Sequence, residues 1–112
     1  MGGIAMNGTL LRFYVHENRK RGRILLYEWL LEQAKRLGIH GGSAFRAIAG
    51  FGRNGILHEE HFFELAGDLT VEIDFAVTDD EANRLLDFIR AERVSIFYVR
   101  TPIEFGTIEG NM

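Results

Sequence analysis

The sequence predicts an α+β domain of ferredoxin-like βαββαβ order, with two helices packed on one face of an antiparallel sheet. Three observations predict it. Two short runs, residues 9–15 and 70–77, alternate apolar and polar side chains with the period of a half-buried strand. Two other runs repeat apolar residues at helical spacing, each between strand-like segments. The elements then follow one another as strand, helix, strand, strand, helix, strand. Each half shares a strand-helix-strand plan, without a sequence repeat linking them.

In TLLRFYV, residues 9–15, Leu11, Phe13 and Val15 fall on one face and Arg12 and Tyr14 on the other. From 24 to 37, Leu26, Leu30, Ala34 and Leu37 recur at helical spacing. Lys35 and Arg36 sit in the last turn, where cations suit the helix dipole, and Gly38 follows as a stop. SAFRAIAGF, residues 43–51, is rich in small residues and reads as extended. ILHEEHFFEL, residues 56–65, reads as a strand with a polar start. In TVEIDFAV, residues 70–77, Val71, Ile73, Phe75 and Val77 point inward and Glu72 and Asp74 outward. Thr78 and Glu81 have the spacing of a capping box, opening a helix with Ala82, Leu85, Leu86 and Ile89 on one face. VSIFYVR, residues 94–100, closes as a strand that Pro102 is expected to end, with 103–112 a loosely ordered tail.

A chain of 112 residues, 46% hydrophobic, reads as a single domain, 1–112, with one core. A domain this small leaves much of its surface wet, so oligomerisation is a natural way to bury more. The formal net charge of -3 disfavours nucleic acid as a partner. The absence of cysteine excludes disulfides and thiolate chemistry and fits a reducing compartment. MGGIAMNG has no signal-peptide pattern, and the apolar stretch ILLYEWLL is short and interrupted by Glu28. The expectation is a cytoplasmic protein without membrane insertion. The helix-free face of the sheet is expected to carry Arg12, Tyr14, Arg46, Glu72 and Asp74, with Ile48 and aromatic residues of the last strand. Such a face is either solvated or buried against partner subunits through crossed charge pairs.

Two further stretches invite a chemical reading. ENRKRGR places Arg19, Lys20, Arg21 and Arg23 before the first helix, where cations and a helix N-terminus suit a phosphate or another acidic ligand. The alternative is a solvated charge run. HEEH, His58 to His61, is one residue short of His-Glu-x-x-His. On a strand its two histidines point to opposite faces; on a helix they align, and His16 and Glu17 could approach them. No metal is expected there. Asp79, Asp80 and Glu81 are explained by helix capping, and no catalytic constellation is argued from spacing.

Gly38-Ile39-His40-Gly41-Gly42-Ser43, then Gly50-Phe51-Gly52-Arg53-Asn54, then Val71-Glu72-Ile73-Asp74 resemble segments of the PII signal-transduction family. That family has Gly-Leu/Ile-x-Gly-x-Thr, then Gly-Phe-Gly-Arg-Gln leading into a long loop, then Val-x-Ile-Glu. LYEWLLEQAKRLGI looks still more like a sister group, the PII-like family called domain of unknown function one-ninety. The resemblance covers roughly residues 9–100. It implies a homotrimer without catalytic activity or resident cofactor. Such a protein senses a small anionic ligand, with a nucleotide as one class, and touches a target protein such as a membrane transporter through the 52–69 loop. By match, Ser43, Gly50, Gly52, Arg53 and Asn54 are the ligand-binding candidates, joined by Arg19, Arg21 and Arg23. Three departures stand out: Thr70 replaces a phosphate-contacting Lys, AERVSIF lacks the family's glycine-rich phosphate loop, and no Tyr lies between Asn54 and Thr70. The 52–69 loop is expected to be mobile alone and to order on binding. The competing reading is a small enzyme or metal-handling protein of the same fold that uses His16, Glu17, His58 or His61.

Overall fold

The computed structural model describes residues 5–51 and 69–110. The expected strand 56–65, His58 and His61, and the ligand candidates Gly52, Arg53 and Asn54 lie outside the described residues. Chain order gives β1 (Met6–His16), β2 (Lys20–Arg21), β3 (Ile24–Leu25), α1 (Leu26–Arg36), β4 (Ser43–Arg46), β5 (Thr70–Val77), α2 (Asp79–Ala91) and β6 (Phe97–Phe105). The main sheet runs β4-β5-β1-β6, and each neighbouring pair is antiparallel. Helix α1 therefore carries the chain from β1 over β5 to β4, and α2 carries it from β5 over β1 to β6. This is the predicted ferredoxin-like order.

The alternating strands bury the faces their pattern indicates. Leu11, Phe13 and Val15 of β1 and Val71, Ile73, Phe75 and Val77 of β5 meet Leu26, Leu30 and Ala34 of α1 and Ala82, Leu85, Leu86 and Ile89 of α2. Phe13 and Phe75 pack edge to face, with ring centroids 6.1 Å apart. Trp29 joins the two helices by stacking on Phe88 at 5.9 Å. One polar side chain is buried in this layer: Thr9 donates a 2.6 Å hydrogen bond to Asp79 Oδ1, pinning β1 to the start of α2.

The helix ends show why the elements begin and stop where they do. In α2 the Thr78 hydroxyl accepts from the Glu81 backbone N–H, and the Glu81 carboxylate accepts from that of Thr78, completing the capping box. Helix α1 has no side-chain cap and starts two residues later than its periodicity suggests. Ile24 and Leu25 pair instead with Arg21 and Lys20 across a two-residue turn at Gly22, whose φ of 65° suits glycine. The C-terminus of α1 is a Schellman motif: Gly38, at φ 91°, donates to Lys35 O, and Ile39 donates to Ala34 O. The same pattern closes α2, with Arg93 rather than glycine at positive φ.

Three expectations are corrected. Pro102 does not end the last strand: β6 continues to Phe105, so Ile103 to Phe105 belong to the sheet and not to a tail. An edge strand tolerates proline because its missing N–H can face away from the neighbouring strand. Of residues 43–51 only Ser43 to Arg46 are strand. The register sets Arg46 opposite Val71, a core residue, and therefore off the helix-free face expected for it.

Candidate functional site

The pairing register lays out the helix-free face in rows, since residues directly opposite share a face. One row crosses all four strands as Phe45, Glu72, Tyr14 and Phe97. The next runs Ser43, Asp74, Arg12 and Val99. Beyond these lie Leu10 and then Met6 beside Phe105. Arg12 is the electrostatic centre. Its Nε lies 3.0 Å from Asp74 Oδ1 and 2.9 Å from Glu72 Oε2, and its Nη2 donates to Asp74 Oδ2 at 3.4 Å. The Asp74 hydrogen bond, aided by both carboxylates, holds the guanidinium above its ordinary pKa. Around this charged group stand exposed apolar side chains: Phe45, Phe97 and Met6 are each about half accessible, at 54%, 45% and 44%.

Glu72 is the strained member of the group. Desolvation, and then the adjoining Asp74 carboxylate, push its carboxyl above the ordinary glutamate value, while Arg12 pulls the other way. A carboxyl whose folded pKa is raised stabilises the fold at pH below its unfolded pKa. That contribution is lost as pH rises through the raised folded value. The stability of the native protein minus that of Glu72→Gln should therefore fall as pH rises through this window. Denaturation of both proteins across that range checks it, and a pH-independent difference would contradict the assignment.

At the β4 end of this face a cleft of about 270 Å³ opens between Tyr14, Phe45, Phe51, Thr70, Glu72 and the Arg46–Gly50 stretch. Arg46 lines it, and its guanidinium grips Glu17 with both prongs: Nε donates to Oε1 at 2.6 Å and Nη2 to Oε2 at 3.4 Å. Glu17 also accepts from the backbone N–H of Leu69 at 3.4 Å, and its own N–H donates to Leu69 O at 2.9 Å. Ala47 N–H donates to Thr70 O at 2.9 Å. Three chain positions that are far apart in sequence, the end of β1, the end of β4 and the start of β5, are thereby tied together.

Of the ligand candidates, Gly50 lines the cleft and Ser43 stands one row away, opposite Asp74. The basic stretch is used differently. Arg19 donates to Ser95 O at 2.6 Å; Arg21 pairs with Glu92 at 2.6 Å and lies over the Trp29 ring, 4.7 Å from its centroid. Both arginines thus strap the β2–β3 hairpin to the α2–β6 connection, and Arg23 is exposed in the turn. Among the described residues no three His, Cys, Asp or Glu side chains lie close enough to hold a metal ion. No described helix is long and apolar enough to cross a membrane. The Arg46–Glu17 pair and the parts of Phe45, Phe51 and Thr70 in the cleft were not indicated by any local pattern.

With this geometry in hand, comparison with known proteins is decisive for the family. Residues 8–102 match the model of DUF190, described as Uncharacterized ACR. The chain belongs to the DUF190 family. It is 31% identical to the UPF0166 protein of Aquifex aeolicus (strain VF5), over 74% of this chain and 79% of that one. It is also 31% identical to a UPF0166 protein of Methanocaldococcus jannaschii, over 72% of this chain and 74% of its relative. The DUF190 fold seen here superposes on CPII, a nitrogen regulatory PII-like protein from Thiomonas intermedia K12 solved with ADP, AMP and bicarbonate. The TM-score is 0.63 at 17% identity, covering 92% of this chain and 97% of CPII. The apo form of CPII gives a TM-score of 0.61, also at 17% identity, over 93% and 97% of the two chains. The PII-like resemblance of the sequence is thus realised in its family and its fold.

Proposed function

We propose that this DUF190 protein is a non-catalytic, cytoplasmic PII-like regulator that assembles as a homotrimer and binds a small anionic ligand in the cleft beside β4. The observation that carries the reading is the helix-free face. Exposed Phe45, Phe97 and Met6 surround an Arg12 group whose charges are already matched, which is the make-up of a surface completed by further copies of itself. The cleft opens on that same face, so assembly and ligand binding share residues. A nucleotide is the first ligand class to test, because the PII-like protein CPII was solved with ADP and AMP. Ser43, Gly50, Gly52, Arg53 and Asn54 are the proposed ligand contacts. The exposed Arg23 can add charge, whereas Arg19 and Arg21 can do so only by releasing Ser95 and Glu92. Contact with a target protein through residues 52–69 completes the reading.

Light scattering at micromolar concentration is expected to give three times the 12.8 kDa chain mass. Arg12→Glu sets three carboxylates together at the centre of the face and should dissociate the assembly. ADP at about 100 times its Kd should stabilise the fold by about 2.7 kcal/mol. A monomeric native protein would overturn the assembly, and the absence of any thermal shift with ADP, AMP or bicarbonate would overturn the ligand class.

A further inference from the structure

We propose that Arg46 is the anion-binding residue of the cleft, and that Glu17 occupies it as an internal carboxylate which an incoming anionic ligand displaces. The inference rests on the ligand-binding part of the reading above and adds the regulation of that same site.

Arg46 is the only cation among the described residues that line the cleft. The fork that holds Glu17, through Nε and Nη2, is the arrangement with which a guanidinium takes a ligand carboxylate or phosphate. Glu17 is therefore a built-in stand-in for such a group. Its carboxylate is largely enclosed, at 11% exposure, whereas the Arg46 side chain is 55% exposed and open to a ligand from the cleft side. Pairs exposed to this degree are weak, so a ligand anion can displace the carboxylate without a large penalty. Across the cleft stands Glu72, whose charge disfavours a second anionic group there. The walls between are aromatic, from Tyr14, Phe45 and Phe51. The fitting ligand class is a molecule with an apolar or planar body and its negative charge gathered at one end.

The displacement has a structural consequence. Glu17 bonds to both the N–H and the C=O of Leu69, and Arg46 directly precedes Ala47, which bonds to Thr70. The ion pair is the side-chain link between the point where the chain leaves β4 and the point where it enters β5. Ligand on Arg46 in place of Glu17 loosens that link, so occupancy of the cleft is coupled to the spacing of these two strand ends.

Calorimetric titration of the native protein, Glu17→Gln and Arg46→Gln with ADP, inorganic phosphate and uncharged adenosine tests the proposal. Removing the competing charge in Glu17→Gln should tighten ADP and phosphate binding by about two- to fivefold, the worth of an exposed ion pair. Arg46→Gln should weaken both by about tenfold or more, as expected for a lost charged hydrogen bond. Adenosine should respond to neither change. Thermal unfolding checks that each variant folds; Glu17→Asp, too short to span the fork, and Arg46→Lys, which keeps the charge without the fork, replace either variant that does not. ADP bound equally by all three proteins would overturn the displacement and leave the ligand reading standing. No binding of any probe to any of the proteins would overturn both.

Discussion

Phe75→Ala is expected to lower the free energy of unfolding by about 4 kcal/mol, the largest effect foreseen for a single substitution in this protein. Phe75 is 1% exposed in the middle of β5, edge to face with Phe13. Its ring also fills the space that a side chain at residue 42 would need: a Cβ built on Gly42 overlaps the Phe75 ring and comes within 3.2 Å of Leu31. Truncation therefore loses the transfer free energy of the ring and leaves a cavity between β5, α1 and the strand connection. Sheet and helices are tied on both sides of that cavity, so little collapse can refill it. Chemical denaturation at fixed protein concentration measures the change. A loss near 1 kcal/mol would mean that the layer closes over the gap.

Gly8→Ala is expected to cost about 3 kcal/mol, at the upper end for overpacking. The reason is space, not backbone conformation. A Cβ at residue 8 overlaps the carbonyl of Val77 and lies 2.6 Å from Phe105 Cε1. The carbonyl belongs to the neighbouring strand, so relief requires the β1–β5 ladder itself to shift. Gly41→Ala is the matched control, since a Cβ there meets nothing within 4 Å. Its effect should stay within about 0.5 kcal/mol. Equal stability of the two variants would show that the β1 end tolerates a wider strand spacing than its register implies.

The cleft and its surroundings were legible only in part. Gly50 was found through its resemblance to a Gly-Phe-Gly-Arg segment and does line the cleft. Arg12, Tyr14, Glu72 and Asp74 were placed on the helix-free face by alternation alone, and the register keeps them there. Arg46 was assigned to the same face and is not on it. In Ser43-Ala44-Phe45-Arg46 every residue is exposed, so the pattern has no buried side to fix its parity. Arg19 and Arg21 read as a ligand-seeking charge run because nothing nearby in sequence announces Ser95 and Glu92 as their partners.

The amino-acid sequence by itself determined the two alternating strands, the two helical stripes, the Thr78–Glu81 capping box and the Gly38 stop. Each of these is a local rule: a period of two or 3.6, or a side chain bonding to backbone within one turn. Only the tertiary structure decided that Pro102 lies inside an edge strand, that Arg46 faces away from Arg12, and that Glu17 closes on Arg46 from 29 residues away. Periodicity informs where one face is buried and the other is wet. On an exposed edge strand both faces are wet, and a contact between distant residues exists only once the sheet has brought them together.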